Sequence, residues 1–150
     1  MSDYETRFGG ITRLYGVEPH LWLKQAHFCV VGIGGVGTWA AEALARSGIG
    51  TITLIDLDDI CTTNTNRQIH AMSSTVGKSK VDVMAERIKQ INPDCEVDCI
   101  EDFVTTDNLI EIFGTRHESK FDVVIDAIDS IAAKTALIAH CHRNKINLVV

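Results

Sequence analysis

The stretch Gly32-Ile33-Gly34-Gly35-Val36-Gly37 decides the fold. It follows the β-prone run His27-Phe28-Cys29-Val30-Val31 and opens a segment in which Val36, Trp39, Ala40, Ala43 and Leu44 recur at helical spacing. A strand, a glycine turn and a helix in that order begin a phosphate-binding βαβ unit. Gly32 permits the tight turn, Gly34 lets a phosphate approach the backbone, and Gly37 lets the helix pack closely on the strand. With Gly35 they form the candidate cofactor-binding turn. The helix N-terminus adds free N–H groups and the positive end of its dipole. A glycine turn without a ligand is the competing reading, and the strand–turn–helix context argues against it.

Outward from this turn, short apolar runs alternate with amphipathic stretches. Gly48 ends the first helix as a left-handed cap. Thr51–Ile55 is the second strand and closes on Asp56. Residues 58–75 are polar, irregular and too long for a simple connector. Val81, Met84, Ala85 and Ile88 mark the next helix, with Pro93 beyond its end. Glu96–Ile100 is the third strand, 108–113 a short helix, 121–125 the fourth strand, 131–143 another helix and 146–150 the fifth strand. Upstream, 19–25 reads as a helix with Leu21 and Trp22 as packing residues. The pattern predicts a Rossmann-like, doubly wound α/β domain with a mainly parallel sheet and helices on both faces. Residues 1–26 form an N-terminal helical segment and 27–150 the nucleotide-binding domain. The chain ends in Asn147-Leu148-Val149-Val150, inside what reads as a buried strand. The expectation is an N-terminal fragment of a longer protein, with its domain incomplete at the C-terminus.

Composition narrows the function classes. A hydrophobic content of 45% argues against disorder. No apolar run approaches the ~20 residues that span a bilayer, so no membrane insertion is expected. The polar, acidic start Met1-Ser2-Asp3-Tyr4-Glu5 is no secretory signal. Five scattered cysteines without a CxxC pair fit reduced thiols in the cytoplasm and leave no zinc site legible. A formal net charge of −6 does not advertise a nucleic-acid binder.

Several polar residues then gather chemistry around the turn. Asp56 stands near the ~20-residue offset at which a carboxylate meets ribose hydroxyls. Asp58 and Asp59 read as loop or cap carboxylates. An NAD-dependent oxidoreductase fits equally well to this point. Asn64-Thr65-Asn66-Arg67-Gln68 and Gly77-Lys78-Ser79-Lys80 shift the balance, because a triphosphate recruits cations and a metal ion beyond what a dinucleotide needs. Arg67 can grip phosphate oxygens bidentately, and Lys78 or Lys80 can act as a point charge. Asp126-Ala127-Ile128-Asp129-Ser130 closes the fourth strand. A carboxylate there either holds Mg²⁺ or caps the following helix.

Together these motifs resemble the ubiquitin-activating-enzyme-like adenylyltransferases, which include the thiamine- and molybdopterin-pathway members. The likeness rests on Arg7-Phe8-Gly9-Gly10-Ile11-Thr12-Arg13-Leu14-Tyr15-Gly16, the glycine turn, Asp56-Leu57-Asp58-Asp59, residues 64–70 and 126–130, in that order. The resemblance implies an ATP site. Asp56 would bind the ribose, Asn64, Arg67, Gln68 and Lys80 would contact the triphosphate, and Asp58 joins the nucleotide-binding set. Arg67, Lys80 and Asp129 would be catalytic, with Asp129 serving Mg²⁺-assisted adenylation. A homodimer is implied, with an N-terminal arginine reaching the partner subunit's site. Gly10 stands where that arginine usually lies, leaving Arg7 or Arg13 for the role, and Ser130 stands where Asn is common. Both departures fit the family's tRNA-modifying branch, whose substrate is tRNA carrying threonylcarbamoyladenosine. Adenylation of a ubiquitin-like sulfur carrier, with a sulfur-transfer protein as partner, is the alternative within the family.

Overall fold

The computed structural model describes residues 3–150; Met1 and Ser2 of the expected helical segment lie outside the described residues. The elements run α1 (Asp3–Tyr15), α2 (Val17–Gln25), β1 (His27–Val31), α3 (Gly37–Arg46), β2 (Thr51–Ile55), α4 (Lys80–Ile91), β3 (Glu96–Ile100), α5 (Leu109–Phe113), β4 (Val123–Asp126), α6 (Ile131–Asn144) and β5 (Leu148–Val149). A 3-10 turn at Thr62–Asn64 interrupts the long loop after β2.

The sheet order is β3-β2-β1-β4-β5, and every pairing is parallel. The chain therefore winds outward from β1 in one direction and returns to its other side with β4. That reversal opens a crevice at the carboxyl ends of β1 and β4, where open α/β sheets bind ligands. The central strand shows why a parallel sheet forms. Cys29 and Val31 enter one core layer, with Leu109, Phe113, Phe121, Leu137 and Cys141. Val30 enters the other, with Ala41, Ala45, Ile52, Leu54, Met84 and Ile88. A strand buried on both faces needs the continuous apolar run that β1 carries.

One expectation about burial is corrected. Leu21 and Trp22 remain about half exposed, whereas His20 and Ala26 are buried. The Trp22 ring meets that of Phe28 edge-on. On α3, Val36 and Trp39 are exposed, and the sheet is met by Gly37, Thr38, Ala41 and Ala45. Small residues allow close helix–sheet contact, so the arc carrying the largest side chains is not the packed one. Glu42 is also buried on α3, where Arg87 Nε and Arg46 Nη2 approach its carboxylate to 2.5 and 2.8 Å. Among the described residues β5 is a short strand that pairs with β4 and leaves Val149 and Val150 exposed.

Helices α1 and α2 close the opposite end of the sheet from the crevice. Tyr4 and Phe8 are buried against Gly48, and the Tyr4 hydroxyl donates to the Gly48 carbonyl at 2.5 Å. Gly48 has φ +78°, and a Cβ there would come within 2.7 Å of that hydroxyl, so only glycine fits.

Candidate active site

The crevice is an open cleft of about 660 Å³ at the carboxyl ends of β1, β2 and β4. Gly32, Gly34, Gly35, Asp56, Asp58, Asn64, Arg67, Gln68, Lys80 and Asp129 all line it. Gly37 does not. A Cβ at Gly37 would fall 1.7 Å from the Gly32 carbonyl oxygen, so this glycine serves the contact between α3 and the turn.

The turn is held from several sides. Gly32 has φ +88°, and its Cα faces the Ala127 carbonyl so closely that a Cβ would be 2.7 Å from that oxygen. The Ile33 N–H donates to Asp56 Oδ2 at 2.7 Å, and the Asp58 N–H donates to Asp56 Oδ1 at 2.9 Å. These bonds aim the Asp56 carboxylate, and each oxygen keeps lone-pair capacity for a hydroxyl donor. The buried His70 ring binds the Ile33 carbonyl through Nε2 at 3.0 Å. Burial holds the His70 pKa below its ordinary value.

The loop after β2 is strapped over this turn. Trp39 Nε1 donates to the Arg67 carbonyl at 2.9 Å. The Arg67 side chain crosses Gly35, its methylenes 3.4 Å from where a Cβ would stand, and its Nη1 donates to the Thr63 carbonyl and to Asn66 Oδ1 at 3.1 and 3.0 Å. Asn64 is buried and accepts the Cys61 N–H at 2.9 Å. Gln68 is buried with Oε1 lacking a hydrogen-bond partner among the described residues. A buried acceptor of that kind favours a donor arriving from the cleft.

Charge is arranged along one rim. Lys80 is nearly buried, and its Nζ lies 2.9 Å from Asp58 Oδ2. Lys78 is exposed and lies outside the cleft lining. Asp126 is occupied: its Oδ1 accepts the Ile128 N–H at 2.9 Å and its Oδ2 meets Lys134 Nζ at 2.9 Å. Ser130 takes the N-cap of α6, its Oγ accepting the Ala133 N–H at 3.5 Å. Capping therefore does not consume Asp129, which stays exposed on the cleft with Asp102. No group of three or more His, Cys, Asp or Glu is arranged for a metal among the described residues. The exposed carboxylates Asp102 and Asp129 on the cleft are hard oxygen donors of the kind that Mg²⁺ takes, one or two at a time, beside substrate phosphates.

Asp102, Phe103 and Val104 also line the cleft and were not legible as site residues. They carry no motif, although their place just beyond β3 at the carboxyl edge is a signal. Arg7 and Arg13 line no part of it. Arg7 pairs with Asp3 at 2.8 Å on α1, at the other end of the sheet.

The ThiF family model matches residues 10–150. The tRNA threonylcarbamoyladenosine dehydratase of Escherichia coli is 60% identical over 99% of this chain and 54% of the relative. The crystal structure of that E. coli enzyme in complex with ATP superposes with a TM-score of 0.92 at 59% identity, over 98% of this chain and 59% of the other. An adenylyltransferase and sulfurtransferase of Culex quinquefasciatus is 36% identical over 84% of this chain and 28% of the relative. The chain spans about half the length of the curated relatives it matches.

Proposed function

The chain belongs to the ThiF family, and from that premise we propose that it supplies the ATP site of an enzyme that adenylates a carboxylate on modified tRNA. The observation that carries this reading is the convergence on one cleft of the glycine turn, Asp56, the cations Arg67 and Lys80, and the uncommitted carboxylate Asp129. The substrate assignment, tRNA carrying threonylcarbamoyladenosine, draws on the E. coli relative.

The chemistry follows from the leaving group. A carboxylate resists attack because oxide is a poor leaving group. Its oxygen attacks the α-phosphorus of ATP, the bond to the β-phosphate bridge breaks, and pyrophosphate departs. The acyl-adenylate now carries AMP as a competent leaving group. The carbamoyl oxygen of the same modification attacks the acyl carbon, a proton is lost, AMP departs and an oxazolone ring closes. The net change is loss of water at the expense of ATP. No protein nucleophile is needed, so the protein positions ATP and neutralises charge. Asp56 orients the ribose through its hydroxyls. Asn64, Gln68, Arg67 and Lys80 hold the phosphates, with the backbone of Gly34 and Gly35 beneath them. Asp129 would hold Mg²⁺, which supplies charge neutralisation on the phosphate oxygens.

A homodimer, a cytoplasmic location and a sulfur-transfer protein as further partner extend the proposal. The free cysteines agree with a reducing compartment. No helix is long and apolar enough to cross a membrane among the described residues.

The test is ATP–pyrophosphate exchange and AMP release by the full-length protein, with either threonylcarbamoyladenosine-bearing tRNA or a ubiquitin-like carrier as acceptor. Turnover with the tRNA alone is expected. Turnover with the carrier alone moves the protein to the sulfur-transfer side of the family, and NAD binding without ATP binding overturns adenylation altogether.

A further inference from the structure

His70 lies 37 residues from Ile33 in sequence, yet its Nε2 is 3.0 Å from the Ile33 carbonyl oxygen and its side chain is fully buried. A carbonyl only accepts, so Nε2 must carry the proton. His70 Nδ1 is also buried and has no hydrogen-bond partner among the described residues. That nitrogen therefore stays an unprotonated lone pair, since a proton there would be a buried donor without an acceptor. The backbone of His70 is fixed as well: its carbonyl accepts the Thr75 hydroxyl at 2.6 Å, and Thr75 Oγ1 in turn accepts the Met72 N–H at 2.9 Å.

The peptide unit between Ile33 and Gly34 is planar and trans, so its C=O and N–H point in opposite directions. His70 holds the carbonyl toward the interior. The N–H of Gly34 must then face away from His70, and Gly34 lines the cleft. On the next peptide, the Gly34 carbonyl is engaged by the Thr38 hydroxyl at 2.6 Å, so neighbouring carbonyls are drawn off the ligand side. We propose that His70 is a positioning residue for nucleotide binding, holding the Ile33–Gly34 peptide with its N–H toward the phosphates. It acts through the backbone and touches no reacting atom. The same residue belongs to the loop that carries Asn64, Arg67 and Gln68, so its bond to Ile33 also ties that loop to the turn.

This inference rests on the reading of the cleft as an ATP site, and the experiment separates the two. ATP affinity, KM and kcat are measured in the full-length protein for the parent, His70→Leu and His70→Gln. His70→Leu fills the space without a donor, whereas His70→Gln keeps an N–H at similar reach. His70→Leu is expected to weaken ATP binding tenfold or more and raise KM with kcat largely kept, and His70→Gln to recover most of that loss. Binding within twofold of the parent by His70→Leu overturns the inference alone. A parent that fails to bind ATP overturns the reading of the cleft and the inference with it. Should His70→Leu not fold, imidazole ¹⁵N resonances of the parent decide. The Nε2-protonated tautomer, with a Gly34 amide that shifts on adding ATP, upholds the proposal, and an Nδ1-protonated ring overturns it.

Discussion

Lys80 and Asp58 form an ion pair across the rim of the cleft, Nζ to Oδ2 at 2.9 Å, in which the lysine side chain is 7% exposed and the carboxylate 55%. The ammonium is thus already aimed and largely stripped of water, and its partner is the more exposed half. In the proposed ATP site, an entering triphosphate would compete with Asp58 for that charge. Lys80→Ala is expected to weaken ATP binding about tenfold or more while leaving AMP binding nearly unchanged, since a point charge here serves the outer phosphates. Calorimetric titration with both nucleotides checks it. Equal losses for ATP and AMP would remove Lys80 from the triphosphate.

Asp58→Asn leaves a nearly buried ammonium without its carboxylate. Because Asp58 is more than half exposed, the cost is modest, about 1 kcal/mol, and it shrinks at high salt. Urea midpoints in low and high salt measure this.

Arg67 and Asp129 are both exposed on the cleft. Neither holds a core contact, so Arg67→Ala and Asp129→Ala are each expected to change stability by no more than about 0.5 kcal/mol. Each is expected to lower ATP–pyrophosphate exchange by roughly 100-fold or more, the scale of losing one preorganised charge at a reacting phosphate. Near-parental exchange by either variant would take that residue out of the machinery.

The glycines separate packing from ligand contact. A methyl at Gly34 meets only Gln68 Nε2, at 3.7 Å, whereas one at Gly37 collides with the Gly32 carbonyl at 1.7 Å. Gly37→Ala is expected to cost roughly 4 kcal/mol or more. Gly34→Ala should melt near the parent but bind ATP more weakly, because the methyl stands between the phosphate and the backbone. Thermal melts with and without ATP distinguish the two.

Stability should fall on mild acidification. Burial lowers the pKa of His70, and burial followed by the nearby Lys120 lowers that of His27. For a histidine depressed in the folded state, the unfolded chain binds more protons below its own pKa, so stability rises with pH from the folded pKa up to about 6.5 and is then flat. Each ring contributes a slope of at most about 1.4 kcal/mol per pH unit in that window. Urea denaturation from pH 8 to pH 5 should show this loss, and His70→Gln should flatten part of it. An unchanged slope in the variant would show that His70 does not titrate in this way.

The sequence carried most of the fold because its signals are local. The apolar runs at 27–31 and 51–55 end at Gly32 and Asp56, and the structure forms strands over 27–31, 51–55 and 96–100 with the bounds read from the sequence. Much of the cleft was legible for a similar reason: the glycine turn, Asp56 and the 64–68 segment sit at offsets set by one βαβ unit. Lines of packing were less legible. Periodicity located α3 but not its buried arc, since Gly37, Thr38 and Ala41 pack more closely than Val36 and Trp39 can. Asp102 and Phe103 had no pattern to mark them.

For this protein the amino-acid sequence by itself determined the order of strands and helices, the glycine turn and the residue types available to a nucleotide. Those follow from backbone preferences and short-range periodicity, which act over a few residues. Only the tertiary structure decided which polar groups are spoken for. Ser130 rather than Asp129 caps α6, Asp126 is taken by Lys134, Lys80 waits on Asp58, and His70 reaches the Ile33 carbonyl beneath the turn. Each of these depends on the strand order that brings distant segments to one sheet edge. Burial there makes every unpaired charge or carbonyl costly, and so selects its partner. The glycine turn is therefore one wall of a site whose other walls exist only in the folded chain.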